Sequence, residues 1–206
     1  MAPKHLSVIG GGLSVRNIDL NTVPGQVIGV NDSAIHAPRV DMVVSMDRLW
    51  TEYRWDKLLA MDKPTWLRRN AIKNTWAKGG ETWKNLTVFD NKLEPESFSR
   101  DPVVLHGHNS GACALNLAFQ LKPDHLWIFG FDMTKGSTGD PYWYEPYPWK
   151  PEGATKPGHY RVWARQAERM VRWLQAEGIA VSIVTDTKWA KGVPFVSTQD
   201  YRRSKP

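Results

Sequence analysis

Short apolar blocks alternate along this chain with glycine, proline and small polar residues. Residues 4–9, 26–30, 41–46, 64–67, 87–90, 102–105, 124–129 and 180–185 are apolar or β-branched runs of strand length. Three stretches carry a helical pattern instead. Residues 159–177 place Trp163, Ala167, Met170, Val171 and Leu174 on one stripe, and Gly178 stops the helix. Residues 111–121 form a second helix whose first turn is small. Residues 49–60 form a third, with Leu49, Tyr53, Leu58 and Leu59 toward the core. Buried strands alternating with helices predict an α/β fold, a Rossmann-like, mostly parallel sheet flanked by helices. The pattern shows no linker and no repeat, so residues 1–206 read as one domain. Two stretches fall outside it: an aromatic-rich lid loop at about 133–158 and a flexible basic tail at about 191–206.

Composition narrows the picture. The chain has 206 residues, 41% hydrophobic and 23% charged, enough for one sizeable core. No apolar run reaches the ~20 residues of a membrane span. The start, Met-Ala-Pro-Lys-His, lacks the apolar segment of a signal peptide, and the single Cys113 allows no internal disulfide. These features predict a cytoplasmic protein. Lys and Arg exceed Asp and Glu by 27 − 21 = 6. That balance favours anionic partners: a nucleotide, an acidic glycan or DNA. Arg161, Arg165, Arg169 and Arg172 form a basic stripe, either a solvated face or a surface for an anionic acceptor. Eleven tryptophans favour a flat-ringed ligand.

In open parallel sheets, ligands bind beyond the carboxyl ends of the strands. The predicted ends carry Gly10, Gly11, Gly12 and Ser14; Asn31 and Asp32; Asp47; Asn109, Ser110 and Gly111; and Asp132. The glycine turn is neither a G-x-G-x-x-G fingerprint nor a P-loop. Asn109-Ser110-Gly111 opens a helix with a capping residue, and free N–H groups there suit an anion. Asn31 is either a ligand-reading amide or a turn residue bonding its own backbone. Asp132 is a metal-binding or lid-orienting residue, or a cap. No His/Cys cluster has zinc spacing. Asp47 with Asp132 is the one carboxylate pair to consider for Mg²⁺. His106 and His108 flank the Asn-Ser-Gly turn, as charge-neutralising or packing groups.

The order Gly-Gly-Gly-Leu-Ser, Val-Asn-Asp-Ser-Ala, Val-Ser-Met-Asp, Asn-Ser-Gly and Ile-Phe-Gly-Phe-Asp resembles a Rossmann-like superfamily. It includes the 6-hydroxymethylpterin pyrophosphokinase-like and motility accessory factor proteins and the bacterial sialyltransferases of glycosyltransferase family 42. The resemblance covers roughly residues 4–132. It implies that residues 10–14 and 109–111 hold a donor's nucleotide and phosphate through backbone N–H groups, and that Asn31 reads sugar or base. In the sialyltransferase branch a tyrosine-bearing lid and a His-Tyr helix start follow. This implies Tyr142 and Tyr144 as donors to the departing phosphate and His159 as general base. Asp47 stands where those enzymes have Asn, which suits a ribose hydroxyl or a metal better than a phosphate. The chain also resembles compact proteins of bacteriophage genomes.

The resulting expectation is a nucleotide-sugar-dependent glycosyltransferase acting on a hydroxyl acceptor, with a nucleotide-sugar as donor and no certain cofactor. The alternatives are a Mg-ATP-dependent pyrophosphokinase-like enzyme, and a non-catalytic nucleotide- or nucleic-acid-binding module.

Overall fold

The computed structural model describes residues 2–75, 82–93, 96–135, 142–145, 147–148 and 157–204. Eight strands form one all-parallel sheet: β1 His5–Ile9, β2 Gln26–Val30, β3 Met42–Ser45, β4 Thr65–Arg68, β5 Leu86–Phe89, β6 His125–Phe129, β7 Ala180–Val184 and β8 Phe195–Val196. Their spatial order is β5-β4-β3-β2-β1-β6-β7-β8. The chain walks outward from β1 to β5, returns to β6 beside β1, and then walks out the other way. A crevice opens between β1 and β6, where the direction reverses.

Helices cover both faces. The described helices are α1 Ser33–His36, α2 Arg48–Met61, α3 Ser110–Leu121, α4 Pro157–Ala176 and α5 Thr198–Arg203. Strand residues alternate between the layers, as a pleated sheet requires. Leu6, Val8, Ile28, Val44, Ile128 and Ile183 pack beneath α3 and α4. Ile9, Val27, Val43, Phe129 and Val184 meet Trp50, Trp55 and Leu58 of α2 on the other side. On α4, Ala167, Met170, Val171 and Leu174 are buried as the stripe predicts, and the four arginines of its basic face are exposed. Small residues let α3 lie close to the sheet; its Cys113 is fully buried, which pushes the thiol pKa up to about 12. No helix among the described residues is long and apolar enough to cross a membrane.

Three expectations are corrected. In α2, Leu49 and Tyr53 are 45% and 53% exposed, while Trp50, Thr51, Trp55 and Leu58 face inward. The helix turns on its two buried tryptophans, and Trp50 donates from its indole to Asp32 at 2.7 Å. Residues 102–105 form no strand, only an isolated bridge from Val104 to Asp90. Side chains of α3 hold this segment instead. Asn116 accepts from the Ser99 and His106 amides and donates to the Ser99 carbonyl; Gln120 donates to the carbonyls of Ser99, Asp101 and Val104. The tail predicted as flexible supplies β8, which pairs with β7, and α5. Tyr201 of α5 packs edge-on against Phe129 and is buried. Charge masked these few apolar residues. Much of the 133–158 lid lies outside the described residues.

Candidate functional site

The glycine turn after β1 serves first to join two strand ends. The Gly10 amide donates to the Phe129 carbonyl and the Gly12 amide to Gly130, both at 2.8 Å. A Cβ on Gly12 would lie 2.6 Å from the Asp132 carboxyl and 2.8 Å from the Gly130 oxygen, so glycine is needed for this approach. Asp132 locks the junction. Its carboxylate accepts from the Ser14 amide at 2.8 Å, the Ser14 hydroxyl at 2.6 Å and the Thr185 hydroxyl at 2.7 Å. The implied role of residues 10–14 as a row of free phosphate-binding N–H groups is therefore corrected. The amides of Gly10, Gly12 and Ser14 are already bonded, and Ser14 is buried behind the turn.

The neighbouring strand ends divide in the same way. Asn31 adopts φ 52°, a left-handed conformation that asparagine tolerates. Its amide donates to Val44 and its carbonyl accepts from Ala34. Its side-chain Oδ1 is buried with no hydrogen-bond partner. Asp32, expected beside it in the site, is fully buried elsewhere. It accepts from Arg54 Nε and Nη2, each at 2.8 Å, and from the Trp50 indole. That bidentate bond raises the Arg54 pKa. Asp32 thus ties α1 to α2 and is no ligand residue. Asp47 caps α2, with one carboxylate oxygen accepting from the Trp50 amide at 3.1 Å.

At the start of α3, Asn109 Oδ1 accepts from the Ala112 amide at 2.9 Å and the Asn109 carbonyl accepts from Cys113. Helix geometry leaves the Ser110 and Gly111 amides without intrahelical partners. The Ser110 hydroxyl accepts from Met46, fixing this end of α3 to the end of β3. His108 is held by its own amide, which donates to Gln166 of α4 at 2.7 Å. His106 turns toward the Ser97 carbonyl and away from the site.

Arg68 is the last residue of β4. It is the principal residue that the sequence did not single out. Its Nε is buried with no hydrogen-bond partner, and among the described residues its guanidinium joins no ion pair. Arg68 is half-exposed, so only its Nε edge lacks water, and that edge is free to take an anion in the cavity.

These groups line one cavity of about 440 Å³ at the strand-end crevice. It brings together Gly10, Gly11, Gly12, Asn31, Asp47, Asn109, Ser110, Gly111, Asp132, Tyr142 and Tyr144 of the expected residues. Arg68, His108, Phe131, Tyr160 and Trp163 join them; Ser14, Asp32 and His159 do not line it. His159 is exposed on the first turn of α4, its ring 6.0 Å from that of Trp163. Its neighbour Tyr160 faces the cavity instead. The described lid residues sit down on the glycine turn. The Trp143 amide donates to Gly11, its indole to Gly10, and Arg16 reaches the Tyr142 and Trp143 carbonyls. Tyr144 is buried with its hydroxyl 3.1 Å from that of Tyr147. Burial drives both pKa values upward, so both remain protonated.

The residues fit a protein-held Mg²⁺ poorly. Three donors already engage Asp132, Asp47 uses one oxygen as a cap, and the described residues contain no cluster of three or more metal-ligating side chains. Comparison with known proteins finds no matching family model, curated protein or solved structure.

Proposed function

We propose that this chain is a nucleotide-sugar-dependent glycosyltransferase whose donor phosphate lies between Arg68 and the start of α3. The observation that carries the reading is the buried Arg68 Nε, which has no hydrogen-bond partner among the described residues, in a crevice cavity that also receives the N-terminus of a 12-residue helix. Both features favour negative charge. In the transfer, the acceptor hydroxyl oxygen bonds to the sugar's anomeric carbon. The bond from that carbon to the phosphate oxygen breaks, and its electron pair leaves on the phosphate. Arg68 and the Ser110 and Gly111 amides stabilise that growing charge, the largest single contribution expected in such a site. His108 stands at the same wall and, when protonated, donates to the departing phosphate. Tyr142 closes the opposite side.

The acceptor's proton goes to a general base. The resemblance assigns this role to His159, which serves it when the acceptor approaches over Trp163 from outside the cavity. A Mg-ATP pyrophosphokinase ranks second, because Asp132 is engaged by three structural donors and Asp47 gives one of its two oxygens to the α2 cap.

A thermal-shift panel of CMP, UDP, GDP, ADP and ATP, each with and without Mg²⁺, tests the proposal. Ligand at about 100 times its dissociation constant adds about 2.7 kcal/mol, or roughly 5–10 °C for a chain of this size. Stabilisation by a nucleoside mono- or diphosphate without metal is expected, with hydrolysis or transfer from the matching nucleotide-sugar. A shift with ATP and Mg²⁺ alone transfers the assignment to the pyrophosphokinase. Binding without any turnover makes the chain a binding module, and no shift with any nucleotide removes the reading.

A further inference from the structure

Only the first turns of α4 reach the cavity, through Tyr160 and Trp163, whose rings meet edge to face at 5.5 Å. The outer face of the helix beyond them is basic. At about 100° per residue, Arg161, Arg165, Arg169 and Arg172 fall within about 80° of the helix circumference, and all four are exposed. At about 1.5 Å per residue they span about 16 Å, leading away from the cavity. Among the described residues Arg161 and Arg165 join no ion pair, Arg169 lies over the Trp173 ring, and Arg172 bonds Glu168 at 2.7 Å. Beside Arg172 a groove opens between α4 and the loop before β8, lined by Glu168, Lys188, Trp189 and Lys191. Arg172 bridges its walls by donating to the Lys191 carbonyl. The groove adjoins the cavity, for the Trp189 indole donates at 2.6 Å to the carbonyl of Phe131, a cavity residue.

On these two surfaces six cations stand with one carboxylate, Glu168, an arrangement that suits a polyanion. Two features select a nucleic-acid strand over an acidic glycan. The arginine face presents guanidinium forks, which match phosphate oxygens, and its carboxylate is already bonded, so the many O–H groups of a glycan would find few acceptors there. At the cavity end stand flat rings on which an unstacked base can lie. We infer that the acceptor of this transferase is a single-stranded nucleic acid. Its phosphates follow the α4 arginines, Lys188 and Lys191, while one nucleotide enters the cavity over Trp163 and Tyr160. The hydroxyl that takes the sugar is then carried by the strand itself, on a ribose or on a base. A duplex has to release that nucleotide first, at the cost of its pairing and stacking. The reaction rests on the transferase reading; strand binding rests on the α4 surface alone.

Fluorescence anisotropy across a salt series tests the inference, with labelled oligo(dT) and oligo(U) as probes. A DNA duplex, an abasic strand and polysialic acid serve as competitors. About four to six phosphate contacts predict that the logarithm of the binding constant falls with that of salt at a slope of about −3 to −4. The triple variant Arg161→Gln, Arg165→Gln and Arg169→Gln keeps good helix formers on an exposed face, so it is expected to melt with the wild type. It is expected to reduce the slope by about 2 and to weaken strand binding about 100-fold at about 0.1 M salt. The abasic strand, equal in charge, is expected to bind the wild type about tenfold more weakly, because it has no base to stack. Whichever probe binds more tightly names the acceptor as DNA or RNA.

Polysialic acid binding as tightly as either strand overturns the inference in favour of an acidic glycan. Tighter binding of the duplex, equal binding of the abasic strand, or strand binding that the triple variant leaves unchanged overturns it as well. The nucleotide panel separates this result from the donor reading. Nucleotide stabilisation without strand binding removes the inference and leaves the donor reading. Strand binding without nucleotide stabilisation removes the donor reading and leaves α4 as a nucleic-acid surface.

Discussion

Arg68 ends β4 with its guanidinium turned to a cavity and, among the described residues, no carboxylate to meet it. An arginine in that position contributes little to the unliganded fold and much to an anion complex. Arg68→Ala is therefore expected to leave the apo melting temperature within about 2 °C of wild type, because no partner is orphaned by the change. The same substitution is expected to cost about 1.5–3 kcal/mol of nucleotide affinity, the range for a charged hydrogen bond. Thermal shift with and without the stabilising nucleotide reads both at once. A large apo destabilisation with unaltered ligand affinity would make Arg68 structural. Asp32 shows the converse: a polar residue at a strand end whose bonds to Trp50 and Arg54 are satisfied within the fold. From the sequence alone the two were indistinguishable, since strand-end position marks a residue as near the crevice but does not say whether its neighbours leave it bonded. Asn31 and the 109–111 turn were legible because their residue types suit both the backbone bend and a ligand. Arg68 was missed because its strand is short and a run of basic residues follows it.

At the scale of elements, the long regular patterns translated directly. The strands at 26–30 and 124–129 and the stripe on α4 needed only periodicity. The errors lie where side chains outside the segment decide its conformation. Residues 102–105 look like a strand, but Pro102 carries no N–H for a ladder, and Asn116 and Gln120 supply the bonds instead. The C-terminal segment is the stronger case, because its order depends on burial of one ring among aromatics of the sheet. Tyr201 lies 5.2 Å from Phe129 and 5.6 Å from Trp127, centroid to centroid. Tyr201→Ala is expected to cost about 3 kcal/mol, at the lower end for a buried aromatic, and to open α5 to proteolysis. Urea unfolding and limited trypsin digestion at Arg202 and Arg203 measure it. Unchanged stability would mean that α5 adds nothing to the core.

The whole molecule is organised by β1, which holds the centre of the sheet between β2 and β6. The two directions of chain travel, β1 to β5 and β6 to β8, look on paper like separable halves. The physical connections deny this. Each of the two apolar layers draws residues from both halves: Leu6 to Val193 in one and Ile9 to Tyr201 in the other. Asp132 binds Ser14 from the first half and Thr185 from the second, at the floor of the cavity. Neither half can open without exposing the shared layers, so one cooperative transition is expected in urea. Tryptophans occur in both halves, for example Trp50 and Trp66 in the first and Trp127 and Trp173 in the second. Fluorescence therefore reports on both, and its midpoint is expected to coincide with that of far-UV circular dichroism. Gly12→Ala tests what joins the halves. Its methyl group would meet the Asp132 carboxyl at 2.6 Å and the Gly130 carbonyl at 2.8 Å, neither of which is a flexible chain end. Overpacking of this kind costs about 1–3 kcal/mol. The variant is expected to unfold at lower urea, still in a single step, with weaker nucleotide binding because the cavity floor has shifted. Two resolved transitions in the wild type would show that the halves fold separately and that the junction is only a contact between them.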